Sequence, residues 1–431
     1  MLYLHAVPVA HWAEAVTASD PTRLRTIGLD QRGCGRSTPA AHDDLAHLAA
    51  NTPHTLITDI ETVRQHLFSI LSPVFLTERN FANLMTQAAT LVMLGMALVF
   101  VILLGEIDLS AGVTAGVSVC IFIVLVNVQG LNWVLALAIA CGAGVAIGTF
   151  IGFFVARVGI PSFVTLGLFL GLQGVELIII GAGGLYRLQI PEILAIQNRN
   201  MPPWAGWTML AVVLAVSAVT SFWDRTRRAR AGVLNRTITL VWIKLGFIAL
   251  LGGAVVFILN QDRGQSVRAV QGVPIVVPIV LAILWVGTFV LDRTKYGRNI
   301  YAIGGNAEAA RRAGIKVVMV RWTAFIICST LSVVAGLFSI SKVGSVDAAA
   351  GRDLVLSGVA AAVVGGVSLF GGRGRLLHAA VGALVIAVIT NGLGLLNLPA
   401  GVNFAVTGGV LILAATVDAV SRNRGGAIVR T

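Results

Sequence analysis

Charge is what this chain has least of. Only 12% of its 431 residues are Asp, Glu, Lys or Arg, and 57% are apolar. Soluble globular proteins carry roughly 25% charged and about 45–50% apolar residues. A chain this apolar cannot cover itself with polar surface, so lipid is the expected solvent. Cysteine is also scarce. Cys34, Cys120, Cys141 and Cys328 show no CxxC spacing, and three of them lie in apolar runs. They read as small core residues, not as a zinc or disulfide framework. The histidines lack metal-ligand spacing, so no metal site is expected. Acidic residues number 19 against 31 basic ones, a formal charge of +12. The basic and aromatic residues do not interleave as a nucleic-acid platform requires. The cations gather instead in short connectors between apolar runs. There is no G-x-x-x-x-G-K-[ST] phosphate loop and no G-x-S-x-G nucleophile elbow. No basic cluster leads an apolar run in the manner of a secretory signal. The chain is therefore expected to have no catalytic residue and no cofactor of its own.

Composition changes near residue 68. His5, His11, His42, His47, His54 and His66, six of the seven histidines, lie before it. Three parts follow: 1–67, a transmembrane region at 68–424, and a tail at 425–431. A span needs about 20 apolar residues. Eleven segments qualify as candidates: 88–104, 109–126, 133–155, 162–181, 209–222, 240–259, 273–291, 322–340, 356–370, 376–395 and 404–420. The fifth and ninth are short enough to be tilted or re-entrant. The fold class is thus an all-α polytopic membrane protein of about eleven helices. The connectors 224–236 and 292–321 are rich in Arg and Lys and lie two spans apart, so they share a side. Positive-inside places them, with Arg373, Arg375, Arg422 and Arg424, in the cytoplasm. The loop 182–207, with Trp204 and Trp207, falls outside.

Polar residues inside apolar context carry more information. Glu106 and Asp108 interrupt an apolar stretch, and ionisable groups at membrane depth face a cavity or a partner. Asp108 could instead cap the following helix with help from Ser110. Gln173, Glu176 and Asn391 lie within candidate spans. They could hydrogen-bond a neutral polyol or hold helices together. These six are the candidates for a translocation pathway. In the connector 296–317, Gly304-Gly305-Asn306 is a turn signal. Residues 307–313 form a short helix with Glu308 in its first turn and Arg311 and Arg312 later, which suits the helix dipole.

The stretches FLTERNF at 75–81, EIDLSAG at 106–112, IPSFVTLG at 160–167, YGRNIYAIGGNAEAARRAGI at 296–315 and VGGVSLFGGRG at 364–374 occur in one order. In that order they resemble the sugar permeases of bacterial ABC importers. The insertion at 182–272 is similar to the xylose-type branch. The resemblance covers about 69–422. It implies a multi-pass permease bundle in the bacterial inner membrane that moves a monosaccharide, xylose or a related sugar. It further implies a second permease copy, a periplasmic or lipid-anchored sugar-binding protein and a cytoplasmic ABC ATPase. Tyr301, Gly304, Gly305, Asn306, Glu308, Ala309, Ala310, Arg311 and Gly314 would form the loop that couples to that ATPase, where ATP is hydrolysed. No nucleic-acid partner is implied.

Residues 1–67 stand apart. GLDQRGCGRSTP at 28–39 and NTPHTLITDIETVRQHL at 51–67 resemble a truncated fragment of a proline-iminopeptidase-type α/β-hydrolase. Ala6, Val7 and Val9 stand where that family has glycines of an oxyanion loop, and Ser37 is a turn residue. The family's first span, expected before 75–81, is not found. That leaves a non-transporting pseudo-permease as one alternative. A membrane-anchored peptidase is another, and it lacks a nucleophile.

Overall fold

The computed structural model describes residues 75–181, 184–230, 232, 237–264, 269–349, 351–396 and 398–427. The hydrolase-like segment 1–67 lies outside them. Backbone contacts group the chain into a main unit, Leu76–Asn391 with Gly401–Thr431, and a second unit in which Phe75 and residues 392–400 are described. The main unit carries the sites below.

Every one of the eleven apolar segments holds a helix. Among the described residues, eight helices are long and apolar enough to cross a membrane, and three apolar helices are shorter. In chain order they are α1 (Glu78–Ile102), α2 (Ala111–Asn127), α3 (Trp133–Phe153, continued by a π turn at Phe154–Val158) and α4 (Pro161–Ile180). Strand β1 (Leu185–Arg187) and the short helix α5 (Pro191–Asn198) follow. Next come α6 (Pro203–Arg230), α7 (Ile238–Asn260), α8 (Val276–Arg293), α9 (Lys295–Gly305), α10 (Ala307–Arg312) and α11 (Val317–Val343). The chain ends with β2 (Ser345–Asp347), α12 (Leu354–Val364), α13 (Leu376–Leu395) and α14 (Ala400–Ala427).

Three elements differ from the sequence expectation. Helix α1 starts ten residues earlier than 88, because the Thr77 side chain caps it by accepting from the Asn80 amide. Helix α6 is a full span of 28 residues, not a short one. Its apolar run is extended by Pro203 at one end and by an arginine-rich turn at the other. The segment 356–370 does stay short: α12 has 11 residues and then breaks into turns. The fold is not purely helical either, since β1 and β2 pair as a two-stranded antiparallel ribbon.

Helix α11 is the hub, packed against α1, α2 and α3. Its seam with α3 is made by glycine. Gly144, Gly148 and Gly152 recur every four residues and are buried. A Cβ at Gly148 would lie 2.8 Å from the Phe325 carbonyl oxygen and 2.8 Å from Ile326 Cα. In lipid no hydrophobic force draws helices together, so close packing of small residues supplies the attraction. Peripheral helices α6 and α7 pack on each other and leave most of their apolar surface open, as lipid-facing spans do. Trp204 and Trp207 are exposed near the start of α6, and Trp223 near its end, a placement that suits the two interfaces.

The two ends of the bundle are chemically distinct. At one end Arg293 pairs with Asp224 at 2.6 Å, and the Tyr301 hydroxyl donates to the Gly374 carbonyl at 2.9 Å. The basic connectors therefore share an end, as the charge pattern requires. The opposite end carries the β1–β2 ribbon and a bridge between Asn200 and Pro274.

Gly148→Val is expected to destabilise the bundle by about 1–3 kcal/mol through overpacking. Gly142, with nothing within 4 Å of a Cβ, is the control. Thermal unfolding in detergent should show a lowered midpoint for Gly148→Val and an unchanged one for Gly142→Val.

Candidate functional site

At the basic end, α9 and α10 form a helical hairpin in which Asn306 is the break. Its backbone is extended, and its side chain accepts from the Ala309 amide at 2.9 Å, capping α10. The Gly304-Gly305 pair is thus the end of a helix and not itself the turn. Glycine is required there by proximity: a Cβ on Gly304 would lie 1.8 Å from the Leu103 carbonyl oxygen. That same oxygen accepts from the Gly372 amide at 2.8 Å. Three sequence stretches, 103–105, 304–305 and 371–372, therefore meet backbone to backbone. Tyr301 adds its bond to Gly374. Burial, helped by the Asp292 carboxylate and opposed by Arg375, pushes the Tyr301 phenol up from its usual range, so it stays a protonated donor.

From this anchorage α10 projects outward. Glu308, Ala309, Arg311 and Gly314 are exposed, while Ala310 is buried in the core and Ala307 packs against it. Glu308 bonds both Arg311, at 2.6 Å, and Arg312, at 3.3 Å. Exposed pairs of this kind contribute about 0.2–1 kcal/mol, so they orient charges more than they stabilise. Gly314 ends the helix at φ +82°, a left-handed position that other residues adopt only with strain.

The translocation candidates do not gather in one place. Glu106 is mostly buried and pairs with Arg321 of α11 at 3.5 Å. Asp108 is fully buried, and its Oδ1 accepts from the Ser110 amide at 2.9 Å and the Ser110 hydroxyl at 2.6 Å. This is a turn preceding α2, not a side-chain cap of it, since Ser110 is the N-cap residue and caps nothing. Gln173 and Glu176 lie one turn apart on α4. Gln173 Nε2 and both Glu176 carboxylate oxygens are buried without a hydrogen bond among the described residues. Cys120 and Asp347 lie within electrostatic reach of Glu176. Asn391 stands elsewhere, on α13. It exchanges two amide hydrogen bonds with Asn80, at 2.9 and 3.1 Å, and donates to Gln87 at 3.2 Å. Its role is interhelical.

Residues 80–415 match the family described as branched-chain amino acid transport system / permease component. The chain belongs to this family of transport permeases. It is 32% identical to the xylose transport system permease protein XylH of Escherichia coli K12 over 351 residues, 81% of this chain and 87% of that one. It is 30% identical to the ribose import permease protein RbsC of Bacillus subtilis over 355 residues, 82% and 88% of the two chains. The corresponding Escherichia coli K12 ribose permease is 27% identical over 353 residues. These relatives are transport permeases and not enzymes. No solved structure matches the chain.

Both the α9–α10 hairpin and all six polar candidates fall inside the matched part of the permease. No cluster of metal-binding side chains occurs among the described residues. A polar group missed by sequence reasoning lies at the end opposite the hairpin. Lys342, at the end of α11, donates to Asn83 Oδ1 at 2.8 Å and to the Thr86 hydroxyl. Gln197 of α5 donates its side-chain Nε2 to the Phe338 carbonyl at 3.2 Å and its backbone N–H to Ser341 Oγ at 3.0 Å. The signal was present: Asn80, Asn83 and Gln87 recur at helical spacing, but lay before the apolar run assigned to the first span.

Asn391→Leu removes three hydrogen bonds between α13 and α1. A loss of about 0.5–2 kcal/mol is expected, in the range of polar contacts between membrane helices. Thermal unfolding should show it, and the double variant Asn80→Leu/Asn391→Leu should recover part of the loss.

Proposed function

We propose that this permease is the membrane-spanning subunit of an ATP-driven importer that carries a monosaccharide, a pentose such as xylose, across the bacterial inner membrane. The observation that carries the reading is the continuous similarity to xylose and ribose permeases over four-fifths of the chain. The α9–α10 hairpin supports it physically. An exposed, charged helix locked onto the bundle by backbone contacts is a rigid lever, and rigid elements transmit displacement where loose loops do not. The soluble ATPase would dock on this lever. The outward segments of the opposite end would receive a loaded binding protein. Two copies of the permease would enclose the pathway, and rocking of the copies would expose it to each side in turn. Glu106 contributes through its pair with Arg321, which joins the α1–α2 connector to the start of α11. The Gln173 Nε2 and the buried Glu176 carboxylate, without hydrogen-bond partners among the described residues, are the polar groups best suited to a hydroxyl-bearing solute. The extra helices α6 and α7 fall in the segment that resembles the xylose-type branch.

Uptake of labelled xylose into proteoliposomes holding the permease, its ATPase and its binding protein tests this reading. Uptake should require ATP and should fall when unlabelled xylose is added in excess. Equal competition by ribose would show that the pentoses carried are not limited to xylose, and uptake of neither sugar would refute the reading. Ala309→Trp adds bulk to the exposed face of α10 without touching the core. It should leave thermal stability unchanged and lower ATP-dependent uptake at least about tenfold, a change of about 1.4 kcal/mol.

A further inference from the structure

The end of the bundle opposite the hairpin holds a cavity of about 410 Å³ between the start of α1, the end of α5 and the connector after α7. Its walls include Arg79, Asn83, Thr86, Gln197, Asn200 and Arg263. No carboxylate lines it among the described residues. Lys342 extends the positive charge, because its ammonium is bonded to two of the wall residues, Asn83 and Thr86. The neighbouring Asp262 carboxylate, whose Oδ1 accepts from the amides of the wall residues Gly264 and Val270 at 2.9 and 3.0 Å, offsets one of these charges, and the cations Arg79, Arg263 and Lys342 still outnumber it.

Two wall residues are incompletely bonded. Arg263 is only 8% exposed; its Nη2 donates to the Gly272 carbonyl at 2.8 Å, while Nη1 is buried with no acceptor among the described residues. Gln197 is 4% exposed; its Nε2 has acceptors, but Oε1 has no donor among the described residues. A buried guanidinium N–H without an acceptor is costly, as is a buried carbonyl without a donor. Two residues of the cavity wall thus hold an unsatisfied charged donor and an unsatisfied neutral acceptor just beneath its surface, beside a surplus of cations. A neutral sugar would satisfy the hydrogen bonds but not the charge. A phosphate group satisfies both: its anionic oxygens accept from Arg263, and a protonated oxygen or an adjoining hydroxyl donates to Gln197. Guanidinium–phosphate contacts are also among the stronger charge-assisted hydrogen bonds.

We propose that this cavity binds a phosphate group, supplied either as inorganic phosphate or as the headgroup of phosphatidylglycerol. Its test does not use uptake. The full chain in detergent would be titrated with inorganic phosphate at constant ionic strength, with chloride as the reference anion, and binding followed by calorimetry. In parallel, retention of phosphatidylglycerol against phosphatidylcholine would be compared by native mass spectrometry. Saturable phosphate binding assigns the free ion, and selective retention of phosphatidylglycerol assigns the lipid. In either arm Arg263→Gln should weaken binding at least about tenfold, as expected for loss of a charged hydrogen bond. Arg79→Gln, at the exposed start of α1, should weaken it in the same direction with the fold retained, and decides the matter if Arg263→Gln does not fold. Absence of binding in both arms overturns the proposal, as does an affinity unchanged by both substitutions.

Discussion

The carbonyl of Leu103 is the point on which the basic end of this permease turns. It accepts from the Gly372 amide, and Gly304 packs against it more closely than any side chain would allow. Both partners must be glycine for the same reason: main chain meets main chain, with no room for a Cβ. The consequence is that α9, the turn after α12 and the connector after α1 behave as one body. The exposed helix α10 follows α9 at the capped Asn306 and sets Ala310 into the core.

The same device recurs along the hub helix. Gly144, Gly148 and Gly152 bring α3 against α11, and Gly336 of α11 approaches the backbone of α2 at Ala115. The interior is held by proximity and by a few polar contacts, such as the Asn80–Asn391–Gln87 cluster. Phe122, Phe325 and Phe338 fill the interior, and bulky apolar side chains also face outward on the peripheral helices, where Trp204, Trp223 and Phe247 are exposed. Lipid rewards no burial of leucine, but it leaves every unpaired polar group without a substitute partner.

The two ends of the bundle differ in what they offer. The basic end presents a charged helix on a rigid base, with its cations partly answered by Glu308 and Asp224. The opposite end presents a cavity whose cations are not answered by acids in its wall. One end is suited to a protein lever and the other to an anionic group, and the hub helix α11 connects them, from Arg321 near one to Lys342 at the other.

The sequence alone determined the solvent, the helical class, the eleven apolar segments and the sharing of one end by the basic connectors. Each of these depends on composition over many residues, which survives local ambiguity. It also marked the stretches 296–315 and 364–374 as the family's signature, and Asn306 with the helix after it was legible from turn and dipole chemistry. Helix ends were less legible: α1 begins at a Thr77 cap ahead of the apolar run, and α6 outlasts its apolar centre at both ends. Tertiary structure alone decided that those signature stretches meet at one carbonyl, that Glu106 answers Arg321 and that Asn391 answers Asn80. It also decided that Arg79, Arg263 and Lys342 share one polar region. Such pairings join residues that lie far apart in the chain, and no periodicity or local propensity encodes a partner at that distance.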